Sequence, residues 1–208
     1  MLSDINLPLI LVAALIGAAS PGPSNLAIAG TSMNSGRGSG LALAAGITAG
    51  SFTWAISAAL GLGALMQANA WLFEILRYLG AAYLIYLAYK SARSAMSSKK
   101  ISVKPMTGTK TLLFSKGLML HLTNPKAVLF FGSLYSLGVP VGSSLLDLVI
   151  VILAVGIQSM CIFHGYAILF SSNAMSNLYL RLRRWFEGAF ALGFGVAGIK
   201  VLTTRLQL

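Results

Sequence analysis

The stretch Ser20-Pro21-Gly22-Pro23-Ser24-Asn25 interrupts an apolar run that extends over Ile5–Ser32. Proline has no backbone N–H, so a continuous helix through Pro21 and Pro23 would leave two carbonyl groups without their usual donors. In hydrocarbon each unpaired group costs several kcal/mol, which favours a real break that is surrounded by protein or water. Because Ser20 suits an N-cap and Pro21 the first helical position, a new half-helix is predicted to begin at Pro21.

The stretch Thr123-Asn124-Pro125-Lys126 repeats this arrangement deep inside a later apolar run. Lys126 is unusual there, because a cation opposes the positive end of the helix dipole and a lysine within a membrane is costly. A bound carboxylate would relieve both costs, whereas a lysine that reaches the membrane surface would need no ligand. The two breaks together predict a binding site for a small molecule with a carboxylate, formed by Ser20, Pro21, Gly22, Pro23, Asn25, Asn124, Pro125 and Lys126.

The composition places both breaks in a membrane. Hydrophobic residues make up 57% of the 208 residues and charged residues 9%, against about 25% charged residues in a typical soluble domain. Six apolar runs are each long enough to span about 30 Å as a helix. We therefore predict an all-α integral membrane protein of about six transmembrane helices, the first and fourth of them broken. The runs are Ile5–Ser32, Gly38–Met66, Trp71–Tyr89, Thr111–Val139, Ser143–Phe170 and Trp185–Thr204.

A weak internal repeat divides the chain into two halves, since Pro21 and Pro125 occupy corresponding places. Residues 1–92 are predicted to form a first three-helix repeat, residues 93–110 a basic cytoplasmic linker, and residues 111–208 a second three-helix repeat. Three spans per half is an odd number, so the halves must be inverted relative to each other. Inverted repeats with broken helices that meet near the middle of the membrane are typical of transporters.

The basic residues predict the orientation and the surroundings. The net charge of +11 lies mostly between the apolar runs, which favours a topology signal and contact with anionic membrane lipid over nucleic-acid binding. Lys90–Lys110 is expected to form a cytoplasmic loop, with Arg37 and Arg181–Arg184 on the same side, so both termini are predicted to be periplasmic. Small residues spaced four apart at Gly46–Gly50 fit helix packing within one chain or between copies, which leaves a homo-oligomer open.

Polar residues in other spans extend the candidate site. Ser51 in the second span and Gln158 in the fifth are added as substrate-binding residues, although Gln158 could equally bond another helix. His164 and Glu74 are candidates for a proton relay, because an imidazole titrates near neutral pH and a carboxylate can carry a proton. The alternatives are a structural role for His164 and an ion pair between Glu74 and Arg77.

Several chemistries find no support in the sequence. There is no phosphate-binding loop, no zinc-ligand spacing and no paired carboxylates. Cys161 stands alone, so it cannot form an internal disulfide or a paired-thiol redox site. The four acidic residues make a metal site unattractive, and Asp147 and Glu187 are predicted to lie at the membrane surface. We expect neither an enzyme nor a cofactor or metal.

The chain resembles the LysE/RhtB family of amino-acid exporters over nearly its whole length. The resemblance rests on Pro21-Gly22-Pro23 with Asn25, on Leu79-Gly80-Ala81-Ala82-Tyr83-Leu84, and on Leu122-Thr123-Asn124-Pro125-Lys126-Ala127. It implies secondary export of amino acids or related small metabolites across the bacterial inner membrane, as a proton-coupled antiport with alternating access. Ser51 stands where family members often carry an acidic or larger polar side chain, which favours a neutral substrate over a cationic one.

Two other functions are compatible with a small helical membrane protein. A membrane ion or electron carrier of similar inverted architecture would need intramembrane acids or paired cysteines, which are scarce here. A scaffold for other membrane proteins would gain nothing from two matched proline breaks. The exporter is therefore the preferred hypothesis.

Overall fold

A computed structural model describes residues 5–68, 70–97, 105–139 and 143–203. The regular structure in these ranges is helical, which confirms the predicted all-α membrane protein. Within the described residues, three segments are by themselves long and apolar enough to cross a membrane: Pro23–Gly61, Leu145–Leu169 and Arg181–Thr203. The helices are α1 Leu7–Ala19, α2 Pro23–Ala68, α3 Ala70–Met96, α4 Lys110–Leu122, α5 Pro125–Gly138, α6 Leu145–Leu169 and α7 Asn173–Thr203.

The first and fourth predicted spans are each divided between two helices. The first corresponds to α1 and the N-terminal arm of α2 (residues 23–35), and the fourth to α4 and α5. Within α2, Gly36 has φ 81° and ψ 169°, which ends this arm. Glycine adopts such a positive φ without the clash that a Cβ would cause. The C-terminal arm of α2 (residues 37–68) then supplies the second predicted span. The inverted repeat itself stays a prediction.

Small residues bring the C-terminal arm of α2 against α4. A Cβ on Gly117 would overlap the backbone carbonyl of Leu43, and a Cβ on Gly46 would overlap that of Phe114. A Cβ on Gly50 would lie 3.0 Å from the Cβ of His121. The small residues at Gly46 and Gly50 therefore serve close packing within this chain, and they hold α4 at a fixed distance from α2.

The stretch Lys90–Lys110 is not a loop throughout, because α3 continues to Met96. The expectation of a loop from Lys90 onward was wrong for this part. The extra turns of α3 are stabilised by α7, where Glu187 accepts a hydrogen bond of 2.7 Å from the Ser94 hydroxyl. Basic charge at the end of a helix is also favourable, since it faces the negative end of the helix dipole.

Two hydrogen bonds connect segments that the sequence predicts on one side of the membrane. Arg37 Nε, just after the bend of α2, donates to Ser171 Oγ between α6 and α7 at 3.4 Å. The Met106 N–H, before α4, donates to Thr31 Oγ1 in the N-terminal arm of α2 at 3.0 Å. The bend of α2, the connection between α6 and α7 and the segment before α4 therefore lie at the same end of the helices. Which side of the membrane that end faces stays a prediction.

Substitution of Gly117 by alanine tests the close contact between α2 and α4. We expect Gly117→Ala to destabilise the protein by about 1–3 kcal/mol, because the new methyl group overpacks against the Leu43 carbonyl. The measurement is the thermal unfolding midpoint in detergent. Gly188→Ala is the matched control, since a Cβ there would meet no atom of the described residues within 4 Å, apart from the backbone of its own helix. Equal midpoints for the two variants would contradict the packing described here.

Candidate functional site

The carbonyl groups at the end of α1 find partners outside their own helix. Ser20 Oγ donates to the Gly17 carbonyl at 3.0 Å. Asn25 Nδ2 donates to the Ala18 carbonyl at 2.7 Å and to the Ser20 carbonyl at 2.9 Å. Tyr166 Oη, on α6, donates to the Ala19 carbonyl at 2.7 Å. The protein therefore satisfies the groups that the two prolines leave free, as a break inside a membrane requires.

The half-helix after the first break begins later than predicted. Ser20 is the C-cap of α1, with extended backbone angles, and α2 begins at Pro23. The prediction of Ser20 as an N-cap with Pro21 at the first helical position was wrong. The physical reason is Pro23, because a residue that precedes proline is disfavoured in the helical region, and Gly22 would have to be helical if the helix began at Pro21.

The second break has the predicted cap. Asn124 is the N-cap of α5 and its Oδ1 accepts from the Lys126 N–H at 3.0 Å, while Pro125 occupies the first helical position. The His121 carbonyl accepts from the Asn124 N–H at 3.2 Å and from Trp54 Nε1 at 3.4 Å. Trp54 thus binds a carbonyl that Pro125, lacking an N–H, cannot bond.

The two breaks meet in space. Lys126 Nζ donates to the Ser20 carbonyl at 2.9 Å and also to Ser20 Oγ. Ser24 Oγ lies 3.1 Å from His121 Nδ1 and accepts from Asn124 Nδ2 at 3.4 Å. Residues about one hundred positions apart in sequence are thereby joined by side-chain hydrogen bonds. Lys126, whose charge was expected to be costly within a membrane, lies at the junction of the two broken helices.

A small cavity, here called the central cavity, lies between these segments. Its volume is ≈ 40 Å³, which has room for a few water molecules. No acidic side chain is among the residues that line it. Its polar lining consists of Ser20, Ser24, Asn25, Ser51, His121, Asn124, Lys126 and Ser159.

Two buried polar atoms of the central cavity make no hydrogen bond within the described part of the chain. They are Asn25 Oδ1 and His121 Nε2. The two bonds that Asn25 Nδ2 donates fix the orientation of the amide, so Oδ1 is an acceptor. An unsatisfied buried polar group costs about 1–3 kcal/mol. Such groups mark positions where a ligand or water can bind, so the cavity offers bonds to a polar molecule.

A larger cavity, here called the side cavity, adjoins the same lysine. Its volume is ≈ 470 Å³, and Ser20, Gly22, Asn124 and Lys126 line both cavities. It extends from the breaks along α3 toward Ser94, near the end of α3 that precedes the basic linker. Its remaining polar lining comes from Tyr83, Tyr86, Lys90, Ser91, Ser94 and Glu187. Ser20 and Lys126, which contact each other, therefore lie where the smaller cavity adjoins the larger one.

Most of the predicted site residues lie around these two cavities. Ser51 and Asn25 line the central cavity, and Pro21, Pro23 and Pro125 line the side cavity. The exceptions are the following residues, which line neither cavity: Gln158, His164 and Glu74.

The three exceptions have other surroundings. Gln158 Nε2 donates to the Leu11 carbonyl at 3.0 Å, so it joins α6 to α1. His164 Nδ1 bonds the Met160 carbonyl of its own helix at 2.9 Å. Glu74 lies near the start of α3 and has an interaction partner, while the side chain of its predicted partner Arg77 lies outside the described residues. Their proposed roles stay predictions.

Several lining residues were not predicted as part of the site. His121, Ser24 and Ser159 line the central cavity, and Glu187 lines the side cavity. Glu187 is 4% exposed, so its side chain is buried among the helices, while its predicted place at the membrane surface stays a prediction. A usable signal existed for His121 and Ser24, since each is polar and lies within one helical turn of a break. Ser159 and Glu187 come from other helices and carry no such signal.

Comparison with known proteins identifies the family. The family model for LysE type translocators matches residues 15–205. The chain belongs to the LysE type translocator family. It is therefore a membrane transporter and not an enzyme, and the resemblance that the two proline motifs suggested is confirmed.

Curated relatives of this translocator cover nearly its whole length. The threonine efflux protein of Escherichia coli (strain K12) is 31% identical over 190 residues, which are 88% of this chain and 91% of that protein. The threonine efflux protein of Salmonella typhi is 30% identical with the same coverage. An uncharacterized membrane protein of Pseudomonas aeruginosa is 32% identical over 199 residues, or 90% of each chain. No solved structure matches.

Replacement of Lys126 by methionine separates a structural lysine from a functional one. We expect Lys126→Met to keep the thermal midpoint of the translocator in detergent, because Asn25 still donates to the Ser20 carbonyl and a buried charge is removed. Transport is expected to fall about tenfold or more, as when a partner of a buried charge pair is lost.

Lys116→Met is the matched control for this change. Lys116 lies on α4, and its Nζ donates to the Thr107 carbonyl at 2.8 Å, outside both cavities. We expect this variant to transport as the unaltered protein does. A large fall in the midpoint of Lys126→Met with unchanged transport per folded molecule would show that Lys126 is structural.

Proposed function

We propose that this translocator exports a neutral amino acid across the bacterial inner membrane, and that threonine is the first substrate to test. The observation that carries the proposal is the junction of the two broken helices, where Lys126 binds the Ser20 carbonyl beside a cavity with unpaired polar atoms. Two curated relatives of 30–31% identity are named threonine efflux proteins. The same junction is where the two proline motifs predicted a carboxylate site.

The lining of the central cavity supports a neutral side chain on the substrate. A substrate with a cationic side chain would need a carboxylate as partner, and none is among the lining residues. The neutral acceptors of the lining serve one ammonium group, so a second cationic group would be left without a partner, which is strongly disfavoured. Hydroxyl groups from Ser51 and Ser159 and the Asn25 Oδ1 acceptor suit the ammonium group and a hydroxyl of the substrate instead.

Alternating access follows from the difference between the cavities. The central cavity of ≈ 40 Å³ has room for only a few water molecules, so an amino acid enters it only after the surrounding helices separate on one side. The bond from Lys126 to the Ser20 carbonyl joins α5 to the end of α1 and must yield for passage from the side cavity. A substrate carboxylate replaces that neutral carbonyl with a charged acceptor, which makes a stronger bond to the ammonium group.

Proton coupling is assigned in this proposal to His121, which lines the central cavity, in place of the predicted His164 and Glu74. Its Nε2 makes no bond in the described chain, and Lys126 is the other group of the lining that can carry a positive charge. A protonated imidazole and the ammonium group of the substrate repel each other in a cavity of low dielectric constant. Proton and substrate then exclude each other, which is the condition for exchange of one for the other.

Transport by purified protein in liposomes tests the function. We expect labelled threonine to exchange across the liposome membrane against unlabelled threonine, because exchange needs the substrate site alone. A panel of the other amino acids defines the specificity, and neutral side chains are expected to compete better than lysine or arginine. Absence of exchange for all twenty amino acids would overturn the proposal. A scaffold would behave in that way while still folding and inserting.

Substitution of His121 by glutamine tests the proton coupling. We expect His121→Gln to reduce threonine accumulation driven by a pH gradient at least about fivefold, within the range of typical coupling energies between two ligands. Exchange without a pH gradient should persist, since the glutamine amide can still bond Ser24. The control is His164→Gln, which should keep its response to the gradient. Loss of coupling in His164→Gln and not in His121→Gln would contradict the assignment and favour the residue predicted from sequence.

A further inference from the structure

The side cavity carries a negative charge that the central cavity lacks. The described ranges contain three acidic residues, and of these only Glu187 lines either cavity. Asp147 belongs to the capping box of α6, where Ser144 Oγ donates to its carboxylate at 2.8 Å. Glu74 lies near the start of α3, away from both linings. Glu187 is thus the one described carboxylate placed to meet a molecule that enters the side cavity.

A chain of hydrogen bonds holds the Glu187 carboxylate in position. Arg183 Nη2, one helical turn before Glu187, donates to Ser94 Oγ at 2.9 Å, and Ser94 Oγ donates to Glu187 Oε1 at 2.7 Å. The arginine therefore supports the carboxylate through the serine hydroxyl. An ionised carboxylate has about four acceptor positions, and the serine uses one of them. A buried, fixed carboxylate with acceptor capacity to spare suits a cationic group of a ligand.

The positive groups of the side cavity come from two other helices, Lys90 from α3 and Lys126 from α5. Lys126 and Lys90 line it together with Glu187, and Lys126 Nζ lies 6.0 Å from the ring centre of Phe194, which is also in the lining. The cavity volume of ≈ 470 Å³ falls within the range of sites that enclose small molecules. The lining thus offers both an acceptor for a cation and donors for an anion, which matches the two charges of a zwitterion.

We propose that the side cavity is a second binding site for an α-amino acid. The amino acid occupies this site before it reaches the central cavity. Glu187 binds the ammonium group, and Lys126 with Lys90 binds the carboxylate. This inference rests on the proposed export function and adds a second place along the path. Because Lys126 lines both cavities, it can keep hold of the carboxylate while the rest of the molecule moves past Ser20.

Such a site selects molecules by their ammonium group. The 2-hydroxy acid that corresponds to threonine has the same carboxylate and nearly the same shape, but no cation for Glu187. We expect the unaltered protein to bind threonine more tightly than this hydroxy acid. We expect this difference in affinity to depend on Glu187. The affinity for the hydroxy acid itself should not depend on Glu187.

Equilibrium binding to the purified full chain in detergent tests the inference. We expect Glu187→Gln, which can still accept from Ser94, to bind threonine about tenfold or more weakly, as for loss of a hydrogen bond between charged groups. Binding of the 2-hydroxy acid should stay unchanged. Asp147→Asn is the control that removes the same charge outside both cavities, and it should bind both probes as the unaltered protein does.

The outcomes separate this inference from the proposed function. If the unaltered protein binds no amino acid, the export function fails. If it binds threonine and Glu187→Gln weakens both probes equally, or neither, the side cavity is not the ammonium site and only this inference is overturned. Should Glu187→Gln not fold, Glu187→Asp keeps the charge but withdraws it by one methylene group. It should then weaken threonine binding and spare the hydroxy acid, and equal effects on both probes would again overturn the inference.

Discussion

The bond from the Lys126 ammonium group to the Ser20 carbonyl is the contact on which the rest of the site depends. Prolines on both sides of the first break remove backbone donors, and the protein has to supply others inside a membrane. Asn25 and Tyr166 supply most of them, and Lys126 from the other broken helix supplies one more. The need to satisfy the carbonyl groups at the first break therefore brings the two broken helices together.

This arrangement also explains why a lysine is tolerated so deep in an apolar chain. A carbonyl is a modest partner for an ammonium group, whereas a carboxylate is a strong one. In the proposed transport cycle, this contact yields to the carboxylate of the substrate. Asn25 Oδ1 and His121 Nε2, which make no hydrogen bond in the described part of the chain, belong to residues that line the central cavity. These atoms are therefore available to bond a polar ligand.

The sequence could predict the parts of the site that are local. Asn124 and Pro125 determine a cap by their side chain and missing N–H, and Gly46 and Gly50 indicate close helix packing, because these effects need only neighbouring residues. The start of α2 was predicted at Pro21, whereas the helix begins at Pro23. The constraint that Pro23 places on Gly22 outweighs a favourable N-cap at Ser20. Ser159 and Glu187 could not be found in advance, because only the packing of α6 and α7 brings them to the cavities.

Thiol labelling of Ser51→Cys, in a chain whose exposed Cys161 is replaced by alanine, tests whether the substrate passes through the central cavity. Ser51 is 1% exposed and lines the central cavity. The account predicts that a water-soluble thiol reagent reaches residue 51 only as the protein cycles. Threonine should slow that labelling at the concentrations at which it is exchanged. If threonine is exchanged while the labelling rate of residue 51 stays the same, the substrate does not pass through the central cavity and the account is wrong.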